Sequence, residues 1–267
     1  MRRKYVKILY IFILLLILHG NGFCDSWSEI AEQAISGSIE AQITMGDRFI
    51  AEENFLIAKF WLEKAAKQGD VVAQYNLGLI FHYGLHNGQP NSGQALRWLS
   101  IAAEQGLNEA QYAVGEIYRT GYQVPKDAAL SLHWLLKAAE NENPSAQNTL
   151  AVLYYEGRDI AQDFEKAFYW RERAAFNNDE IAQKALIAHY LTGKGTQKDN
   201  VAAYAWLLAA NYEQDNNLKM IKNALEERLL KRELKLAAEQ FRKIEGQLRS
   251  APSELLLQHQ PLDLISR

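Results

Sequence analysis

Two short stretches of this chain hold residue types that could do chemistry. His82 and His86 stand four apart, the spacing at which two imidazoles on one helix face ligate a divalent metal such as zinc. Gly193-Lys194-Gly195-Thr196 has the glycine, lysine and hydroxyl content of a loop that cradles phosphates. Context argues against both. Gly84 falls between the histidines, where a helix should end, and no cysteine or carboxylate pair nearby completes a ligand set. The lysine stretch lacks the longer glycine spacing of a phosphate loop and follows helical sequence instead of a strand, so it reads as a helix C-cap. Serine, histidine and acidic residues occur elsewhere without a local pattern that nominates a triad. No catalytic residue, metal site or cofactor is assigned, and the chain is expected not to be an enzyme.

The elements around these residues repeat. Trp61, Trp98, Trp134, Trp170 and Trp206 are separated by 37, 36, 36 and 36 residues, a period that belongs to two-helix solenoid units. Alanine pairs follow the tryptophan in four units, at Ala65-Ala66, Ala102-Ala103, Ala138-Ala139 and Ala174-Ala175, and the fifth shifts to Ala209-Ala210. Seven residues before each tryptophan stand Asn54, Asn91, Asp127, Asp163 and Asp199, whose side-chain oxygens can accept from the free amides of a first helical turn. Upstream, an alanine, an apolar residue four on and an aromatic four further recur as Ala41/Met45/Phe49, Ala73/Leu77/Phe81, Ala110/Val114/Tyr118, Ala146/Leu150/Tyr154 and Ala182/Leu186/Tyr190. That spacing stacks them on one helix face. Gly46, Gly78, Gly115, Ala151 and Ile187 follow the middle residue, so in most units a neighbouring helix could approach closely. Gly84, Gly121, Gly157 and Gly193 suit left-handed C-caps. Each unit is thus helix, glycine-terminated loop, N-cap, helix, and stacking buries the Ala/Leu/Trp faces in a continuous core. On this logic the tryptophans are core residues and not a ligand cage.

At this point the columns resemble the Sel1-like repeat, a branch of the tetratricopeptide-type solenoids. The resemblance rests on Ala73-Gln74, Leu77-Gly78, Phe81, Gly84, Ala95, Trp98, Ala102-Ala103 and Gly106, and on Ala110-Gln111, Gly115, Tyr118, Gly121, Val124, Asp127, Trp134 and Ala138-Ala139. It covers about residues 36 to 211. The expected fold class is all-α, a right-handed α/α solenoid of about five two-helix repeats with C-terminal capping helices. The divisions are 1–24 signal peptide, 25–35 lead-in, 36–69 short capping repeat, then repeats 70–106, 107–142, 143–178 and 179–212, capping helices 213–249 and a flexible tail 250–267. The first unit is clipped, with 12 residues from Phe49 to Trp61. Where the first two units have Gly69 and Gly106, the next two have Glu142 and Asn178. Some disulfide-bearing relatives are described as penicillin-binding or β-lactamase-like, but no Ser-x-x-Lys nucleophile motif occurs in this chain.

Arg2, Arg3, Lys4 and Lys7 precede an apolar run from Ile8 to Leu18, the layout of a secretory signal and too short for a spanning helix. Cleavage is expected after Cys24, with Gly22 as the alternative last residue. Phe23 before the cysteine argues against a lipoprotein. The mature chain would have no cysteine for a disulfide, and 25 Lys and Arg against 32 Asp and Glu, a net charge of −7. That charge disfavours nucleic acid as a partner. The chain is expected to be exported to the periplasm, with secretion as the alternative.

After the array, 218–230 and about 232–247 read as helices carrying Ile221, Leu225, Leu229, Leu236, Phe241 and Ile244, with mixed charges on a solvated outer face. Leu255-Leu256-Leu257 in the tail could pack back or bind.

Function is expected on the inner face of the solenoid, which in tetratricopeptide-type units is made by first-helix residues off the core stripe. Carried over by alignment, these are Tyr75, Leu79, His82 and Tyr83, then Tyr112, Glu116 and Arg119, then Asn148, Val152, Tyr155 and Glu156. Tyrosine and arginine suit a protein-binding groove, though the same tyrosines could merely seal the seams between repeats. The leading expectation is a non-enzymatic adaptor or scaffold of the bacterial envelope that binds protein or peptide partners. The alternatives are an envelope enzyme, either a cell-wall hydrolase or a β-lactam-binding protein, and a secreted factor directed at host proteins.

Overall fold

A computed structural model describes residues 24–210 and 212–250. The expected signal peptide and its cleavage site, apart from the backbone of Cys24, lie outside the described residues, as does the tail with its leucine run. The described residues form thirteen α-helices, one short 3-10 helix and no strand. They fall into two compact units that divide between Ala102 and Ala103.

In the first unit, α1 (Cys24–Ser36), α2 (Ile39–Ala51), α3 (Phe55–Lys67), α4 (Val71–His82) and most of α5 (Ser92–Glu104) follow one another. Their core gathers Met45, Phe49, Trp61, Leu62, Leu77 and Ile80. The expected lead-in is therefore a helix. The second unit holds α6 (Asn108–Thr120), α7 (Ala128–Glu140), α8 (Pro144–Glu156), α9 (Phe164–Phe176), α10 (Glu180–Thr192), α11 (Asn200–Ala209), α12 (Asn216–Arg228) and α13 (Lys231–Ser250). Within it α6 packs on α7, α8 on α9 and α10 on α11, and α13 lies against α11 and α9. Ala237 and Ile244 of α13 join the cluster of Leu186, Trp206 and Leu207. Leu236 instead faces out, one residue off the buried stripe.

The repeat columns acquire physical roles. Asn54, Asn91, Asp127, Asp163 and Asp199 each accept from an amide of the turn they precede, as caps of α3, α5, α7, α9 and α11. The backbone N–H of each of these residues also donates to the carbonyl of the aromatic that ends the first-helix stripe: Phe49, Phe81, Tyr118, Tyr154 and Tyr190. The clipped first loop thus closes on the same bond as the longer ones. Gly84, Gly121, Gly157 and Gly193 all have φ between 65° and 74°. Gly46, Gly78 and Gly115 make room for Leu62, Leu99 and Leu135, whose side chains lie under 3 Å from where a Cβ would stand. Trp61, Trp170 and Trp206 are buried, while Trp98 and Trp134 are half-buried.

One column links neighbouring helix pairs. Gln42, Gln74, Gln111, Gln147 and Gln183 are buried, and each donates from Nε2 to the carbonyl eight residues earlier, on Ala34, Ala66, Ala103, Ala139 and Ala175. Those carbonyls lie in the last turn of the preceding helix, beyond its regular ladder, and those of Ala66, Ala103, Ala139 and Ala175 also accept from the amide three residues on. On the other side, Gln42, Gln111 and Gln147 accept through Oε1 from Gln68, Asn141 and Asn177, the residues that end the second helix of the same pair. The bond from Gln42 to Ala34 marks α1 as the second helix of a degenerate pair that has no tryptophan in register.

Candidate functional site

The first-helix residues selected from the sequence divide by burial. Tyr75 is 2% exposed and Leu79 1%, so neither offers a surface to a partner. Both sit on α4, where eight of twelve residues are buried. His82 is half-buried, its ring edge-on to Tyr83 at 4.8 Å, and burial pushes its imidazole below the usual histidine range. Tyr83 is exposed at 39%. α4 ends at His82 and Gly84 turns left-handed, so His86 is off the helix and packs its ring on Phe81 at 5.2 Å. Among the described residues, no group of three or more His, Cys, Asp or Glu is placed to hold a metal ion.

In the second unit four of the seven selected residues come together. Arg119 of α6 and Asn148, Val152 and Glu156 of α8 line a cleft of about 380 Å³ with Lys126, Thr149, Leu153, Arg158 and Asp159. Arg119 and Tyr155 are corresponding residues of successive first helices, at the end that leads into the loop, and of the two only Arg119 lines the cleft. Glu116 grips Arg119 with two bonds, Nε to Oε1 at 2.8 Å and Nη2 to Oε2 at 2.7 Å, and this holds the guanidinium pKa above its ordinary value. Lys126 pairs with Asp159 at 2.8 Å and Arg158 with Glu156 at 3.3 Å. The wall of the cleft therefore carries balanced charge.

Tyr112 is half-buried against the core of the third and fourth pairs. Tyr155, 36% exposed, lies edge-on to Phe164 at 5.3 Å and to His189 at 5.8 Å, and its hydroxyl accepts from Lys194 Nζ at 3.0 Å. The Lys194 carbonyl takes the His189 Nδ1–H at 2.7 Å, and Gly195 is pressed against the Phe164 carbonyl. The Gly-Lys-Gly loop is thus tied to the preceding pair as a helix end. Tyr155 both seals that seam and keeps an open face.

Sequence reasoning missed Lys126, Arg158 and Asp159, which sit in loops outside the helical columns. It also missed Arg171, which is 7% exposed and donates from Nη1 to Asn148 Oδ1. Burial pushes its guanidinium below the ordinary arginine range, against the field of Asp179. A signal was present, because the residue after the tryptophan is leucine at 62, 99, 135 and 207 and arginine here.

A Sel1 repeat family model matches residues 45–70, 71–107, 108–143, 144–179 and 185–214. A solved Sel1 repeat protein from Oxalobacter formigenes is 28% identical with a TM-score of 0.60, over 66% of this chain and 73% of that one. A protective antigen of uropathogenic Escherichia coli with an SLR fold is 24% identical with a TM-score of 0.49, over 84% of this chain and 56% of its own. This chain thus spans little more than half the length of that antigen. A Sel1 repeat protein from Klebsiella pneumoniae is 22% identical with a TM-score of 0.46, over 75% and 99%. No curated protein matches the chain.

Proposed function

The chain belongs to the Sel1 repeat family, whose members generally serve as protein-interaction adaptors, and on that premise we propose that it is a non-enzymatic adaptor of the bacterial envelope. It holds a protein or peptide segment against the first-helix face of the second unit. The observation that supports this reading is the cleft between α6 and α8, where Arg119, Asn148, Val152 and Glu156 meet. A chemical site would need an unpaired acid, base or nucleophile, whereas the charges on this wall are paired with one another. Paired charges and polar side chains around Val152 and Leu153, with exposed Tyr155 nearby, suit a polar recognition surface. Residues 1–24 serve as the export signal in this reading, and the mature adaptor works in the periplasm.

Site-specific photocrosslinking in cells tests the surface. A photoreactive side chain at Val152 or Tyr155 should give discrete adducts, and one at Met220, exposed on α12, should not. Adducts indifferent to position, or none at Val152 and Tyr155, would sink the assignment. Export is checked by the amino terminus of the cellular protein, which should begin at Asp25 and not at Met1.

A further inference from the structure

α13 runs for 20 residues, about 30 Å as a helix, and the fold uses one of its sides. Ala237 and Ile244 are buried there, and Leu234, Phe241 and Leu248 pack beside them at helical steps of three and four. Away from that side Lys231, Arg232, Lys235, Arg242 and Lys243 are all exposed. Among the described residues none of these five cations makes an ion pair, and the nine ion pairs found there involve no residue of α13.

The acids of the helix do not cancel this charge. Glu233 is turned back to its own helix start, where it accepts the Leu230 N–H at 2.7 Å, and Glu245 is half-buried. Glu239 alone is exposed with the cations, so five positive charges less one leave the face at +4. Lys231 and Arg232 even occupy the first turn, where the helix dipole disfavours cations, so the stability of the helix does not account for them. The chain before α13 has the opposite sign. Residues 25–230 hold 18 Lys and Arg against 27 Asp and Glu, a net −9, while α13 holds six against three, a net +3.

Apolar side chains share the basic face. Leu236 is exposed, and it follows Arg232 by four residues and precedes Lys243 by seven, which puts the three on one side of the helix. Leu230, also exposed, stands directly before the first turn. A partner must therefore take cations and leucine together from a convex rod. A flat anionic surface with an apolar interior meets all of them at once, whereas an acidic protein would need a groove cut to match.

We propose that the outward face of α13 docks the protein on an anionic phospholipid bilayer. The helix lies in the plane of the headgroups with its cations among the phosphates and Leu236 directed below them. The same surface repels the acidic charge of residues 25–230, which limits the contact to this helix. Each cation near such a surface raises partitioning about fivefold, equivalent to about 1 kcal/mol, so the attachment is reversible. The proposal goes beyond the adaptor reading and does not draw on the cleft.

Vesicle sedimentation tests it, with the full chain in the form isolated from cells. The vesicles are phosphatidylcholine alone, or phosphatidylcholine with about 30% phosphatidylglycerol. Binding to the anionic vesicles alone is expected, with release as sodium chloride rises from about 0.1 M to about 0.5 M. Lys235→Gln/Arg242→Gln should melt as the wild type does and bind about 25-fold more weakly, the product of two lost cations. Arg97→Gln/Lys198→Gln makes the same change of charge at exposed positions away from α13 and should bind within about twofold of the wild type. Equal binding to both kinds of vesicle, or equal losses in the two double variants, overturns the proposal. Retention on immobilised polyglutamate without binding to anionic vesicles assigns the face to an acidic protein and overturns it as well.

Discussion

Replacing Gly115 by alanine isolates the contact that sets how closely paired helices approach. The new Cβ would lie 2.8 Å from Leu135 Cγ, 3.0 Å from Cδ2 and 3.2 Å from the Leu135 backbone nitrogen. The leucine side chain could rotate, but the backbone nitrogen moves only with α7. Alanine is favoured over glycine in a helix by about 1 kcal/mol, while overpacking a tight core costs about 1–3 kcal/mol. The contact with the backbone nitrogen puts the clash in the upper half of that range, about 2–3 kcal/mol, so it should win and leave the protein less stable by about 1–2 kcal/mol. For a chain of this size that lowers Tm by roughly 2–8 °C. Leu135→Ala alone should cost about 2–5 kcal/mol through the cavity it leaves. Combined, the alanine methyl at 115 fills part of that cavity, so the double variant should be more stable than the sum of the singles by at least about 1 kcal/mol. Thermal unfolding by circular dichroism, with all four proteins at one concentration, reads the cycle. A Gly115→Ala variant that melts higher than wild type, or additive singles, would refute the close-approach reasoning.

Gln147→Met removes the bonds donated to Ala139 and Glu142 and the one accepted from Asn177, and should lower stability by about 1–3 kcal/mol in denaturant titration. A loss below about 0.5 kcal/mol would mean that the glutamine column is decorative. Gly195→Ala drives its methyl into the Phe164 carbonyl with φ at +75°, so it should be the most damaging of these glycine changes, at more than about 3 kcal/mol, with Gly37→Ala as the uncrowded control. Burial would raise the Glu142 carboxyl, but hydrogen bonds from Asn177 and Gln147 and the Arg173 guanidinium outweigh it and hold the pKa below the usual glutamate range. That contribution is present above the unfolded value of about 4.3 and is lost as pH falls through the lower folded value. Glu142→Gln should therefore flatten the fall in Tm between about pH 5 and pH 3. An unchanged slope would count against it.

The architecture was legible because tryptophans, alanines, cap residues and glycines recur at one period, and each has a single local job. Asn54 and Asp127 announce helix starts through their own side chains, so no long-range knowledge was needed. The helix at 24–36 was hidden because its tryptophan, Trp27, is out of register, and only the distance from Ala34 to Gln42 betrays it. The site was half legible. Repeat alignment brought Arg119, Asn148, Val152 and Glu156 to one wall. It could not separate Tyr75 from Tyr112, which hold corresponding positions yet are buried to different degrees. Lys126 and Asp159 stand 33 residues apart, a pairing that only folding reveals.

The glutamine latch also has a direction. In every case the donor lies eight residues downstream of its carbonyl, so this bond closes a helix pair with chain that leaves the ribosome after it. Each new pair can lock onto one that has already formed, and the order of synthesis can serve as the order of assembly. The same polarity makes the units interchangeable. A segment copied from one glutamine to the next would bring its own donor to the carbonyl upstream and present a fresh carbonyl downstream, so an array built this way can lengthen by duplication without redesigning either neighbour.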